Sequence, residues 1–444
     1  MPDRETMRLG RRHTSGKECV PMVITLGSLL QRLRDEPDKK KRYVFAMPTS
    51  YGPCRFGVYN TLHKIILDRL DLKDRVRIFS PNFKSYFAGL PDGFPALAMV
   101  SFMGGDLLLE AFYDARVVEK RPGLAREIYQ RYEAELYETV EAEGKSDLSA
   151  PEALLQVASG RLFGCMDVLS RAAAEFAAAK EDRQIPSVLM VGEIYVRCDP
   201  FANDFVADKL AQKGIRVRFA PFNEWVEYSD YINFKNGERT GIAPHLSSFT
   251  RAVIQALTYS AMAERLNWPP RTTVRSSLAA SNPYIREEFQ GESVLTVGGP
   301  LAEWREGLID GVISVGPLEC MPNKISEAQF FHIAENEGLL SLTLSLNGDP
   351  IAPEALENFA FEVHARYKSR PHHERARPHQ TTNPLMAIGE MAARQAMQVA
   401  GWAFPGAPQG FKMLRKLAGG SAQESAQDQA PAERQERPRA EEVS

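Results

Sequence analysis

The order strand, loop, helix, strand between Ser187 and Ala220 limits the fold more than any other part of the chain. Ser187-Val-Leu-Met-Val-Gly192 is an unbroken apolar run of strand length, as expected of a strand buried on both faces. A loop with Cys198-Asp199-Pro200 follows, then a helical stretch from Asn203 to Lys213 and the strand Arg216-Val-Arg-Phe-Ala220. That order is a βαβ unit, whose crossover makes the two strands parallel.

The same alternation recurs on both sides. Tyr43 to Met47 and Arg75 to Phe79 read as strands flanking a helix from Tyr59 to Leu70, and Ala96 to Met103 is an apolar segment ended by Gly104-Gly105. Asp106 to Tyr113, Gly123 to Ala142 and Pro151 to Lys180 read as helices. Beyond a helical region around 245 to 268, Ser293 to Val297, Gly311 to Val315 and Leu340 to Leu346 read as strands, followed by a helix from Pro353 to Tyr367. The predicted fold class is α/β. Two Rossmann-like parallel-sheet domains, 17–105 and 184–368, enclose a helical region at 106–183. A helical extension at 369–417 and a disordered tail at 418–444 follow, the tail being Ala, Gln, Glu, Arg and Pro with little to bury. Residues 1 to 15 are polar and basic and are expected to be loose.

A net charge of −3 over 444 residues gives no general attraction to nucleic acid or to anionic membrane. No apolar run reads as a membrane span. Val20 to Leu30 is not a signal peptide: it contains Pro, Thr, Gly and Ser and runs straight into Gln31-Arg-Leu-Arg-Asp-Glu36. Gly10 to Lys17 departs from a phosphate loop in its spacing, and Glu18 stands where Ser or Thr would hold magnesium. Five cysteines (Cys19, Cys54, Cys165, Cys198, Cys320) form no Cys-x-x-Cys pair. So odd and sparse a set argues for a reducing cytoplasm over a secreted disulfide framework.

Three of these cysteines share one local design. Cys19 precedes Val-Pro and a helix. Cys54 follows Gly52-Pro53 on a strand-to-helix turn, and Cys320 follows a strand and precedes Met-Pro and a helix. Each falls at a helix N-terminus, where free amides and the helix dipole favour a thiolate or a bound anion. Gly52 and Gly57 allow close backbone approach around Cys54. Three thiolates on separate loops suit an iron–sulfur cluster with one iron left open, and zinc is the second candidate. Inert, buried thiols in a metal-free α/β protein are the plain alternative. Cys198 has a similar loop, and Cys165 reads as core.

The ordered motifs Cys19-x-Pro, Gly-Pro-Cys54-Arg-Phe-Gly, Val191-Gly-Glu-Ile-Tyr-Val-Arg197 with Pro200 and Asn203, and Gly-Pro-Leu-Glu-Cys320-Met-Pro resemble the 2-hydroxyacyl-CoA dehydratase component and activase-related superfamily. The likeness covers about 17 to 368 and is to the cysteine-containing region without the activase ATPase domain. It implies a [4Fe-4S] cluster on Cys19, Cys54 and Cys320 between α/β domains. It also implies low-potential electrons from an ATP-dependent activase acting in trans, and an acyl-CoA thioester as the kind of substrate reduced or dehydrated by a radical route. The other role it allows is a non-catalytic electron relay or scaffold that docks an activase. Homo- or hetero-oligomers are compatible with either.

Neighbouring residues have two readings each. Arg55 either neutralises a cluster or phosphate, or caps backbone; Glu193 is either a buried proton donor or a helix cap. Tyr51, Tyr59 and Asn60 either hydrogen-bond sulfur or substrate, or pack; Glu319 either lowers a cluster's potential or faces water. None of the eight histidines has metal-ligand spacing, and His372-His373 lies in a polar segment.

Overall fold

Parallel pairing of the apolar runs produces two sheets. The computed structural model describes residues 1–50, 54–81, 87 and 89–369, all within the unit Met1–Leu385. Helices α1 (Arg4–Arg11) and α2 (Val20–Asp35) lead into strand β1 (Tyr43–Ala46), helix α3 (Tyr59–Arg69) and strand β2 (Val76–Phe79). Four helices follow, α4 (Phe94–Arg116), α5 (Leu124–Gly144), α6 (Ala150–Ala158) and α7 (Cys165–Ala179). The next stretch is β3 (Ser187–Gly192), α8 (Ile194–Cys198), α9 (Val206–Gln212) and β4 (Arg216–Phe219). Then come α10 (Phe222–Lys235), α11 (Ile242–Leu266), α12 (Val274–Ser281) and α13 (Glu292–Arg305). Strand β5 (Gly311–Pro317), α14 (Met321–Glu337), β6 (Ser341–Leu346) and α15 (Pro353–Ser369) complete the described chain.

Strands β1 and β2 form one parallel pair, and the second sheet has the all-parallel order β4-β3-β5-β6. β3 and β5 are buried along their whole length, as their apolar runs require. Val191, Val312, Leu295, Leu301 and Phe330 meet in the core of this sheet. Helix α2 faces two ways. Cys19, Met22, Leu26 and Leu30 pack with Met47 and Tyr59 by the first sheet, while Val20, Val23 and Ile24 pack with Ala202 and Tyr195 beyond β3. The α/β class therefore holds, with a first sheet of only two strands.

Several local expectations are corrected. Ser293 to Val297 is the start of α13, not a strand. Every residue from Ser293 to Trp304 is buried, so the helix shows no polar face to reveal its period. Gly104-Gly105 does not end a segment, and α4 runs straight through, with Gly104 close against the Leu136 side chain of α5. α4 is also long and apolar enough to cross a membrane by length and composition alone, contrary to the sequence reading. Here it is the central helix of the block, with Leu107, Leu108 and Ala111 fully enclosed. Residues 1 to 15 are not all loose. α1 is capped by the Asp3 and Thr6 side chains, and its Gly10 lies on the backbone of Val23. The helix expected from Asn203 begins at Val206. The extension and tail expected beyond residue 369, His372-His373, and Tyr51, Gly52 and Pro53 lie outside the described residues.

Candidate functional site

Each of the three cysteines is a helix N-cap residue: Cys19 of α2, Cys54 of a 3₁₀ turn over Arg55–Val58, and Cys320 of α14. Proline in the first turn of α2 and α14 fixes two of these starts. Gly57 allows the Cys54 turn to close, because a Cβ there would stand 2.6 Å from the Ser50 carbonyl oxygen. Cys19 is buried, Cys320 half-buried and Cys54 exposed, so the set runs from the interior to the surface.

Arg55 ties the three loops together. Its guanidinium donates to the Lys17 carbonyl at 2.9 Å, two residues before Cys19. It also donates to the Leu318 and Glu319 carbonyls at 3.3 and 3.0 Å, just before Cys320. The backbone-capping reading of Arg55 is therefore the observed one, carried out between loops far apart in sequence. The thiols also feel one another electrostatically: Cys19 acts on Cys54, and Cys54 on Cys320. Arg55→Gln removes the three carbonyl contacts together. It is expected to lower stability in urea unfolding by about 1–2 kcal/mol and to speed amide exchange at 17–19 and 318–320. Unchanged exchange there would show that the loops are held by other contacts.

The helix N-termini do not make free thiolates here. Burial pushes Cys19 and Cys320 up, the latter to about 12, and the protein packed around one side of the exposed Cys54 raises it as well. The nearby Glu292 and Glu193 carboxyls push Cys54 and Cys320 the same way, while the amides of Phe56 and Asn323 offset part of the rise. At Cys19 the Tyr59 hydroxyl and Arg55 pull back down. Tyr59 is thus a buried partner of sulfur. Asn60 is not: its amide donates to the Ser80 hydroxyl at 2.6 Å. Glu319 is exposed. Its carbonyl serves Arg55, and its backbone has φ 58°.

Behind the cysteines lies a pair of carboxyl groups. Glu193 leaves the end of β3 and caps α8, accepting the Val196 amide at 2.8 Å. Glu292, the first residue of α13, lies beside the Ile194 amide at the start of α8. One Glu292 oxygen is enclosed without a hydrogen-bond partner. Burial raises both acids, and the Glu193 charge helps bring Glu292 to about 8. Arg197 and Glu224 stand next to this pair, and burial lifts Glu224 to about 7. The helix-cap reading of Glu193 is the observed one, and its half-buried carboxyl acts electrostatically on the cysteines.

Glu292 and Glu224 escaped sequence reasoning, because they reach the site from two helices with no motif around them. Cys198, the last residue of α8, has Arg197, Asp106 and Glu193 as its strongest electrostatic neighbours, and no thiol among them. Cys165 is fully buried at the start of α7. Among the described residues no three His, Cys, Asp or Glu side chains are close enough to hold a single metal ion. A lone tetrahedral ion needs sulfurs about 3.8 Å apart, from bonds of about 2.3 Å, whereas a multi-iron cage spreads its thiolates more widely. The chain matches no family model, no curated protein and no solved structure.

Proposed function

We propose that this chain is a cytoplasmic [4Fe-4S] protein resembling 2-hydroxyacyl-CoA dehydratase components, with its two sheets as Rossmann-like halves and Cys19, Cys54 and Cys320 as the cluster ligands. One observation carries the reading. Arg55, the residue after one candidate ligand, hydrogen-bonds the loops of the other two. The donor set fits such a group. Three thiols at helix starts supply soft ligands with amides directed towards negative charge. Their raised pKa values leave them neutral until a cation binds and displaces the protons.

When bound, the cluster would accept a low-potential electron from an ATP-dependent activase in trans and supply it to an acyl-CoA-type substrate. The chain's own residues have separate tasks. The Tyr59 hydroxyl lies beside the Cys19 thiol and favours its thiolate. Arg55 keeps the loops in register and places a positive charge near Cys19. Glu292 holds a proton on its carboxyl group up to about pH 8, next to the candidate ligands, where reduction chemistry consumes protons. Exposed Cys54 gives the site a surface-facing side for an electron donor.

The test is anaerobic purification with iron and acid-labile sulfide analysis, then EPR after dithionite reduction, on the wild-type chain and on Cys54→Ser. About four irons and four sulfides are expected in the wild type, with most lost in the variant. A colourless, iron-free protein after anaerobic reconstitution would overturn the proposal.

A further inference from the structure

Helix α15 has a core side and a free side that lie opposite each other. Leu356, Phe359, Ala360 and Val363 are buried, and a Cβ on Gly311 of β5 would stand 3.1 Å from the Phe359 ring and 3.2 Å from Val363. At about 100° per residue, the line of the helix farthest from these four runs through Glu354, Asn358, Phe361, Ala365 and Lys368. All five are exposed. Phe361 is 75% exposed, and among the large apolar side chains of the described residues only Met1 is more so.

The charges on this line are placed symmetrically. Phe361 is the middle residue of the 17-residue helix, with Glu354 seven residues before it and Lys368 seven after. Seven residues are about two turns, so both charges stand on the Phe361 side. Among the described residues neither Glu354 nor Lys368 has an ion pair or a side-chain hydrogen bond, whereas Glu357, off this line, is engaged by Lys213 at 3.5 Å. A lone exposed ring is ordinary protein surface. A ring bracketed at equal distances by unpaired opposite charges is complementary to itself.

A partner of uniformly negative charge would meet Glu354, and one of uniformly positive charge would meet Lys368. A second copy of α15 laid antiparallel avoids both conflicts. A two-fold axis beside Phe361 stacks the two rings and sets Glu354 of each copy against Lys368 of the other, as an isologous contact requires. The small Ala365 side chain then faces Asn358 of the second copy and lets the helices approach. A parallel arrangement would instead place Glu354 on Glu354. We infer that this face of α15 docks a second copy of the chain, as an antiparallel helix pair on a two-fold axis through Phe361.

This surface does not depend on the iron–sulfur reading and is tested on the full chain by sedimentation equilibrium over roughly 1–100 μM. A monomer–dimer equilibrium is expected, weakened about tenfold or more by Phe361→Ser. Glu354→Lys and Lys368→Glu each set like charges together twice in the dimer and are each expected to weaken it by about fivefold. Combining the two reversals restores opposite charges, and the dimer is expected to recover to near the unaltered strength. As a second measurement, Phe361→Cys places a thiol on the axis and is expected to give a disulfide-linked dimer with oxidised glutathione, which the unaltered chain does not give. A monomer throughout, a dimer indifferent to Phe361→Ser, or a double reversal no stronger than the single ones would overturn the assignment. If Phe361→Ser fails to fold, the charge exchange decides.

Discussion

Replacing Gly192 by alanine is expected to cost about 4 kcal/mol or more, enough to leave much of the protein unfolded. Gly192 ends β3 with φ 106°, a region that side chains strain to occupy. A Cβ there would lie 2.0 Å from the Val315 carbonyl oxygen on β5. The same oxygen accepts the Glu193 amide at 2.9 Å, so relief of the clash must part the two central strands and swing Glu193 out of place. Urea unfolding measures the loss. Gly105→Ala is the contrast, since nothing lies within 4 Å of a Cβ built on Gly105 inside α4. It is expected to stabilise the chain by about 0.5–1 kcal/mol. Similar effects at the two positions would refute the steric account.

Glu292→Gln is expected to stabilise the protein at pH 8 by roughly 2–4 kcal/mol more than it does at pH 4.5. The sign follows from linkage. Folding raises the acid from 4.5 to about 8, so the unfolded chain ionises first as pH rises. The folded state must then hold a proton that the unfolded state has released, and stability falls across that window. Glutamine copies the protonated acid and has no proton to lose. Paired urea titrations at the two pH values read the difference. An equal effect at both would mean that Glu292 ionises alike in folded and unfolded chains.

Much of the sheet was legible because buried parallel strands are short apolar runs bounded by glycine or polar turns, as at Ser187–Gly192 and Gly311–Pro317. The same signal failed at Val294-Leu-Thr-Val297. A helix buried on all sides carries the composition of a strand, and its period has no polar residues to mark it. Glycine misled at Gly104, where a missing side chain serves helix packing and not chain reversal. In α1 the order comes from Gly10 and Gly27, which let α1 and α2 touch backbone to backbone. No local pattern announces such a contact.

The site was legible in part for the same reason. A cysteine before Val-Pro or Met-Pro is a local sign of a helix start, and all three helix starts are present. Arg55 had no local sign of its partners, because Lys17 and Leu318 reach it only through the tertiary fold. Glu292 and Glu224 enter from α13 and α10, and their unusual acidity comes from burial, which composition does not reveal.

The three-way contact of Arg55 also sets a timetable for biosynthesis. The loops of Cys19 and Cys54 leave the ribosome early, but Leu318 and Glu319 are added more than 260 residues later. At about 5–20 residues per second, roughly 15–50 s pass before the third loop exists. Through that interval the nascent chain carries two thiols without their third neighbour. The three-way contact of Arg55 therefore closes only after Glu319 has left the ribosome.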